Sequence, residues 1–220
     1  MANLENQSDL ANSFTDLMTS LAVIFILLLC VSLNQAKEES ETKRNSILLE
    51  LKKELSEFIQ NGVKVDPDPK DPLALLILVP EGLLEFKLDH SEIPSNGINF
   101  LNTFIPKFAN IVCDERFKED INSIVVEGHT DSSGTDQHNW DLSQKRSMAV
   151  VSESLNILAK MNNGGNIRND FVKLISASGR GNAELIKVNG IENCEQSRRV
   201  IFKIRVRSLE QRLVEELRKT

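Results

Sequence analysis

From Leu17 to Ala36 the chain runs for twenty residues without Asp, Glu, Lys or Arg. At a rise of about 1.5 Å per residue, a helix of that length matches a hydrocarbon core of roughly 30 Å, so the run predicts one transmembrane helix. A cleavable signal peptide would place basic residues ahead of the apolar run, yet residues 1–36 hold no Lys or Arg. The helix, residues 17–36, is therefore expected to remain as an anchor behind a short tail, residues 1–16.

Asp16 stands at the edge of this run, where an ionised carboxylate is costly without water, a partner or a function. Two readings stay open. In one, Asp16 is a flanking acid in headgroup water, favoured by the helix N-terminus. In the other it belongs to a polar stripe. Thr15 lies beside it, and Asp16, Thr19, Ser20 and Val23 share a helical face that would turn toward another protein rather than lipid.

Beyond residue 36 the chain holds 26 basic and 29 acidic residues. Such a balance excludes a general nucleic-acid binder, whose affinity rests on neutralising phosphates. Three cysteines are too few for a disulfide scaffold. Cys30 lies in the apolar run, while Cys113 and Cys194 either pair or remain buried thiols. Residues 37–72 read as a charged amphipathic helix followed by an acidic, Pro-rich linker, VDPDPKDP. The helix carries Leu48, Leu51, Leu55 and Phe58 at spacings of three, four and three, about two heptads. It is either a plug or self-pairing segment, or a spacer resting on the domain.

Residues 73–207 suffice for one domain, and residues 208–220 read as a closing helix. Within the domain, LALLILV, GLLEFKL, INSIVVEGH, FVKLISASG and RRVIFKIRVR read as strands. SNGINFLNTFIPKFANIVCDERF and DLSQKRSMAVVSESLNILAKM read as helices. Strands alternating with helices predict an α/β fold with a mixed sheet covered by helices. In the last strand Val200, Phe202, Ile204 and Val206 alternate with Ile201, Lys203, Arg205 and Arg207, which predicts one buried and one solvated face.

Chemistry concentrates in GHTDSSGTDQHNWDLSQKRSMAV. His129 and Asp131 follow the strand directly, Gly134 permits a sharp turn, and Asp141 is a candidate N-cap for the helix that carries Arg146. A carboxylate and a guanidinium facing one cleft suit a zwitterionic ligand, because each ligand charge meets its opposite. A structural Asp131–Arg146 ion pair is the competing reading.

This run resembles the peptidoglycan-binding motif of the OmpA-like family. It matches at Gly128, His129, Thr130, Asp131, Gly134, Asn139, Leu142, Ser143, Arg146 and Val150, with Ser147 where Ala is usual. Ser197-Arg198-Arg199-Val200, and more loosely Phe86-Lys87-Leu88-Asp89, extend the resemblance. It implies an OmpA-like α/β sandwich in which Asp131 and Arg146 grip the diaminopimelate of a peptide stem, with Thr130 and Asn139 supporting. Trp140 is either an exposed aromatic at the helix start or a surface for a glycan.

The apolar segment, FTDLMTS, resembles the ion-carrying helix of MotB-type stator subunits, and its fifteen-residue acidic approach is more similar to the ZorB subunits of the Zorya anti-phage system than to flagellar proteins. This resemblance implies that Asp16, supported by Thr15, Thr19 and Ser20, binds and releases H+ or Na+ against a polytopic MotA- or ZorA-like partner. It further implies a homodimer in the bacterial inner membrane, single-pass, with the N-terminus cytoplasmic and the C-terminal domain periplasmic. Flanking charge gives no support for that orientation, because Lys37, Lys43 and Arg44 follow the helix.

Two other classes share some of these residues. A passive wall tether has no need of Asp16. A hydrolase would draw on His129, Asp131 and Ser143, but no G-x-S-x-G elbow is present. The spacing of His129, Asp131 and His138 fits no zinc pattern. A non-enzymatic protein without a cofactor is the expectation.

Overall fold

The computed structural model describes residues 2–161 and 164–219. Helix α1, Ala2–Glu54, runs without interruption from the short tail through the apolar run and into the amphipathic segment. It contains the one helix among the described residues that is long and apolar enough to cross a membrane. Its apolar run is exposed, as lipid contact would demand, whereas Ile47, Leu51 and Leu55 further along are fully buried. These three fall at intervals of four, one helical stripe, and join the core of the domain rather than a separate coil. Ile47 takes the place in this stripe that the heptad spacing gave to Leu48, which is only partly buried against the same core.

Helix α2, Ser56–Gln60, places Phe58 edge-on to Phe100 and Phe104, with ring centroids 5.8 and 5.4 Å away. The expected linker begins as strand β1, Lys64–Pro67, which pairs antiparallel with β2, Ala74–Pro80. Its acids have partners across the sheet: Asp68 meets Lys203 at 2.5 Å and Asp71 meets Arg205 at 3.1 Å. Hence the basic row of the last strand is not simply solvated.

GLLEFKL does not form a strand. Pro80 ends β2 and starts a single turn, α3, Glu81–Leu84, which Glu85 closes in the left-handed region at φ 51°. Then follow α4, Ser95–Val112, and β3, Ile121–His129. Helix α5, Asp136–Lys160, is capped by Thr135, whose side chain accepts from the His138 N–H, so Asp141 lies inside the helix instead of capping it. FVKL belongs to α6, Gly164–Leu174, and only Ile175–Gly179 forms strand β4. Ile167, Phe171 and Leu174 follow a helical period, and Phe171 packs edge-on against Phe108 at 5.9 Å.

A small hairpin, β5 (Lys187–Val188) and β6 (Ile191–Glu192), and a turn, α7 (Cys194–Ser197), lead into β7, Arg199–Val206. Helix α8, Leu209–Lys219, returns to α1, where Arg212 meets Glu39 at 2.8 Å. The main sheet is mixed, in the order β1-β2-β7-β3-β4, with only β3 and β4 parallel. Val200, Phe202, Ile204 and Val206 are buried, as their alternation predicts. Phe202 meets Phe104 and Phe108 of α4, both at 5.4 Å, so the helices cover this face. Cys113 and Cys194 are free thiols. Cys194 is exposed, and burial pushes the Cys113 thiol up to about 12.

Candidate functional site

Strand register builds the site. In the sheet Pro80 lies opposite Arg199, and Arg199 lies opposite His129. The next residue beyond each paired end is Glu81, Arg198 and Thr130, with Asp131 following, so three distant parts of sequence meet at one end of the sheet. Close backbone contact seats α5 there. A Cβ on Gly128 would come within 2.3 Å of the Ser143 carbonyl oxygen, and one on Gly179 within 2.6 Å of the Gln144 nitrogen. Only glycine allows the helix so near the strand ends.

A cavity of about 310 Å³ opens between these parts, and Thr130, Asp131, Asn139 and Arg146 all line it. The two principal residues do not pair with each other. Asp131 Oδ2 accepts from Arg198 Nη1 at 2.7 Å, and Oδ1 accepts from the Ser133 N–H at 3.0 Å. Burial alone would raise the Asp131 carboxyl, but these donors outweigh it and hold the group below the usual carboxylate range.

Arg146 is 4% exposed. Its Nε donates to His90 O at 3.0 Å, Nη2 to Lys87 O at 3.1 Å, and Nη1 to Glu81 Oε1 at 3.2 Å. The guanidinium carbon lies 4.9 Å from the centre of the Phe86 ring, a cation–π contact. Glu85 and Asp89, both left-handed with φ of 51° and 57°, each stand shortly before a carbonyl that grips Arg146, those of Lys87 and His90. Non-glycine residues in that region cost free energy and persist where their surroundings over-determine them.

Thr130 Oγ1 is buried without a hydrogen-bond partner. Asn139 Nδ2 donates to Asp131 O at 3.4 Å. Trp140, 54% exposed, does not line the cavity. Asp16, Thr15, Thr19 and Ser20 are exposed on α1, where Thr19 Oγ1 donates to Thr15 O at 2.7 Å.

The hydrolase constellation is not assembled. Ser143 Oγ donates to Trp140 O at 2.8 Å and accepts from the Gly181 N–H at 2.9 Å, while neither ring nitrogen of His129 has a hydrogen-bond partner. His138 Nε2 lies 3.1 Å from Asp89 Oδ1. Among the described residues no cluster of His, Cys, Asp and Glu is arranged to hold a metal.

The sequence alone assigns no role to Glu81, Phe86 or Arg198. Phe86 and Arg198 lay in stretches matched to the OmpA-like pattern, whereas nothing local marked Glu81.

Burial pushes the His129 imidazole below its ordinary value, despite the opposing pull of Glu127. It is neutral when folded, whereas the unfolded chain takes up a proton near the ordinary value of about 6.5. Below that pH the unfolded state binds more protons, so stability is full above about 6.5 and falls as pH drops toward the lower folded value. Thermal melts from about pH 7 to 5 are expected to show this decline in wild type and a flatter one in His129→Gln. Equal slopes in both proteins would contradict the assignment to His129.

These features define an α/β domain with a charge-lined cavity at one end of a mixed sheet, carried on a helix of membrane-crossing length. The sequence pattern of the OmpA family matches residues 86–199, just over half of the chain, and the chain belongs to that family. No curated protein matches it by sequence. Among solved structures, the chain resembles a MotB-like protein from Desulfovibrio vulgaris, with a TM-score of 0.52 and 15% identity. That match covers 80% of this chain and 96% of the other.

The periplasmic domain of Helicobacter pylori MotB is similar at a TM-score of 0.49 and 17% identity, covering 71% of this chain and 89% of that one. So is the cell wall anchor of the T6SS from Pseudomonas aeruginosa, at 0.48 and 18%, covering 71% and 97%. The family domain and the apolar N-terminal helix together fit a single-pass membrane protein.

Proposed function

We propose that this chain is the peptidoglycan-anchored stator subunit of an ion-driven MotA/MotB-type motor in the inner membrane, acting in anti-phage defence as a ZorB-like protein. The supporting observation is that Asp131 and Arg146 share one cavity with bonding capacity left on both. A guanidinium has five N–H donors and a carboxylate about four acceptor positions. Arg146 uses three donors within the chain, and Asp131 accepts from the Ser133 N–H and Arg198. A zwitterionic amino-acid centre complements the remainder, its carboxylate against Arg146 and its ammonium against Asp131. Thr130 and Asn139 stand beside it. The distal centre of diaminopimelate in a peptidoglycan stem has this chemistry.

On this reading α1 spans the membrane once, with a cytoplasmic N-terminus and a periplasmic domain. Asp16 takes up and releases H+ or Na+ against a polytopic MotA- or ZorA-like partner, supported by Thr15, Thr19 and Ser20, and the chain works as a homodimer. It performs no covalent chemistry and needs no cofactor beyond the transported ion. A flagellar stator is the nearest alternative in this class; a passive tether shares the anchor and cavity but leaves Asp16 without a task.

Co-sedimentation with purified sacculi tests the wall contact. Wild-type chain in detergent is expected to pellet with sacculi containing diaminopimelate and to stay in solution with sacculi whose stems carry lysine, which lacks the distal carboxylate. Equal recovery with both would remove Arg146 as the carboxylate receptor.

A further inference from the structure

Helix α8 lies at the end of the sheet away from the cavity. The cavity opens beyond His129 and Arg199, whereas Ile121 and Val206 pair at the other end, where the Arg207 N–H donates to Asp120 O at 2.8 Å. Arg212 ties α8 to α1: Nη1 meets Glu39 Oε1 at 2.8 Å, and Nη2 donates to Ser40 Oγ at 3.1 Å. Glu215 pairs with Arg207. With Arg212 and Glu215 turned to the domain, Val214 and Leu217 stand on the outer side of the helix, 49% and 76% exposed. Glu210 shares that side one turn before Val214, so the apolar part is the second half of the helix.

The height of this side is set by α1. Ser40, 3% exposed, is held by α8. It lies about 6 Å of helix beyond Ala36, where the uncharged run ends. The headgroup layer is about 5–8 Å thick on each side of a bilayer. α8 therefore leaves α1 at headgroup depth.

We propose that the outer side of α8 rests on the lipid surface, with Val214 and Leu217 dipped into the boundary between headgroups and acyl chains, as an amphipathic helix lies in an interface. Bearing selects lipid rather than a membrane partner. At 3.6 residues per turn, Glu39 and Ser40 fall about 140° and 240° round α1 from Asp16. Arg212 thus grips α1 on the side opposite the Asp16 stripe, away from a partner docked on that stripe. The domain is then held to the membrane at two points, α1 and α8, which fixes its tilt. The proposal needs α1 to cross the membrane and is independent of what the cavity binds.

Fluorescence quenching tests it, with the full chain in vesicles of phosphatidylethanolamine and phosphatidylglycerol whose acyl chains carry bromine near the glycerol, compared with unbrominated vesicles. The reporter is Leu217→Trp in a Trp140→Phe background, with Val214→Trp as a second; both positions are exposed, so the fold is spared. Reporter emission is expected to fall about twofold or more in the brominated vesicles. Trp140 of the wild type, next to Asn139 of the cavity, is expected to keep its emission. Unquenched reporters with blue-shifted emission mean that a second copy covers this side, and overturn the proposal; unquenched reporters emitting as in water overturn it as well. Quenching of Trp140 would put the other end of the domain on the lipid and also overturns it. A chain that does not float with the vesicles overturns the membrane-spanning reading and this proposal together.

Discussion

Asp16→Asn is expected to abolish the output of the motor while leaving wall binding untouched. Asparagine has nearly the shape of aspartate and still hydrogen bonds, but it cannot carry the charge that alternates as a cation binds and leaves. The residue sits at the edge of an apolar run of twenty residues, where retaining a carboxylate is costly unless it is used. The readout is phage protection in cells that carry the gene with its neighbours, with membrane abundance and sacculus co-sedimentation measured on the same strains. Loss of protection with both controls intact supports the motor; full protection by Asp16→Asn makes the chain a passive tether. Motility restored in a stator-deficient flagellated strain, without phage protection, would move it to the flagellar class.

Arg146→Ala is expected to fail twice, in binding and in stability. The guanidinium donates to Glu81 and to the carbonyls of Lys87 and His90, and it lies over Phe86. Its removal leaves a mostly buried carboxylate without one of its two arginines and takes the side-chain donor from the His90 carbonyl, while the Lys87 carbonyl keeps only the His90 N–H. Breaking a buried pair by deleting one partner costs about 3–5 kcal/mol. Chemical denaturation should register that loss, and sacculus binding should fall to background. A stability loss below about 1 kcal/mol would mean that water replaces the guanidinium cheaply and that the site is looser than its geometry implies. Arg146→Lys separates the two effects: it keeps the charge while losing the planar fork, so it should retain more stability than binding.

The elements legible in the sequence were those with a clear period. β3, β7, α4 and α5 each carry a long alternating or helical pattern, and the motif after β3 sits where the strand predicts. Three segments were misread for local reasons. GLLEFKL alternates like a strand, but Pro80 and the left-handed Glu85 turn it into a single helical turn and a loop. FVKL has the residues of a strand, yet Phe171 belongs to a helical series with Ile167 and Leu174. VDPDPKDP has the composition of a linker, yet it opens as strand β1, and its acids pair with Lys203 and Arg205.

The cavity was half legible. Thr130, Asp131, Asn139 and Arg146 lie close in sequence, so one motif holds them. Glu81 and Arg198 are 117 residues apart and are joined only by the pairing of β2 with β7. No spacing rule reaches across that distance.

The unbroken α1 has a mechanical meaning. From Ala36, where the uncharged run ends, to Ile47 in the domain core is about 16 Å of helix, with no slack loop between. A domain held by the wall therefore works as a rigid mast rather than a rope: its grip fixes the compass bearing of the Asp16 face about the helix axis. Torque reacting on the membrane segment would be carried straight into the wall instead of winding up a tether. The same stiffness limits reach, because such a mast touches the wall only where membrane and wall already stand close, or where one is drawn toward the other.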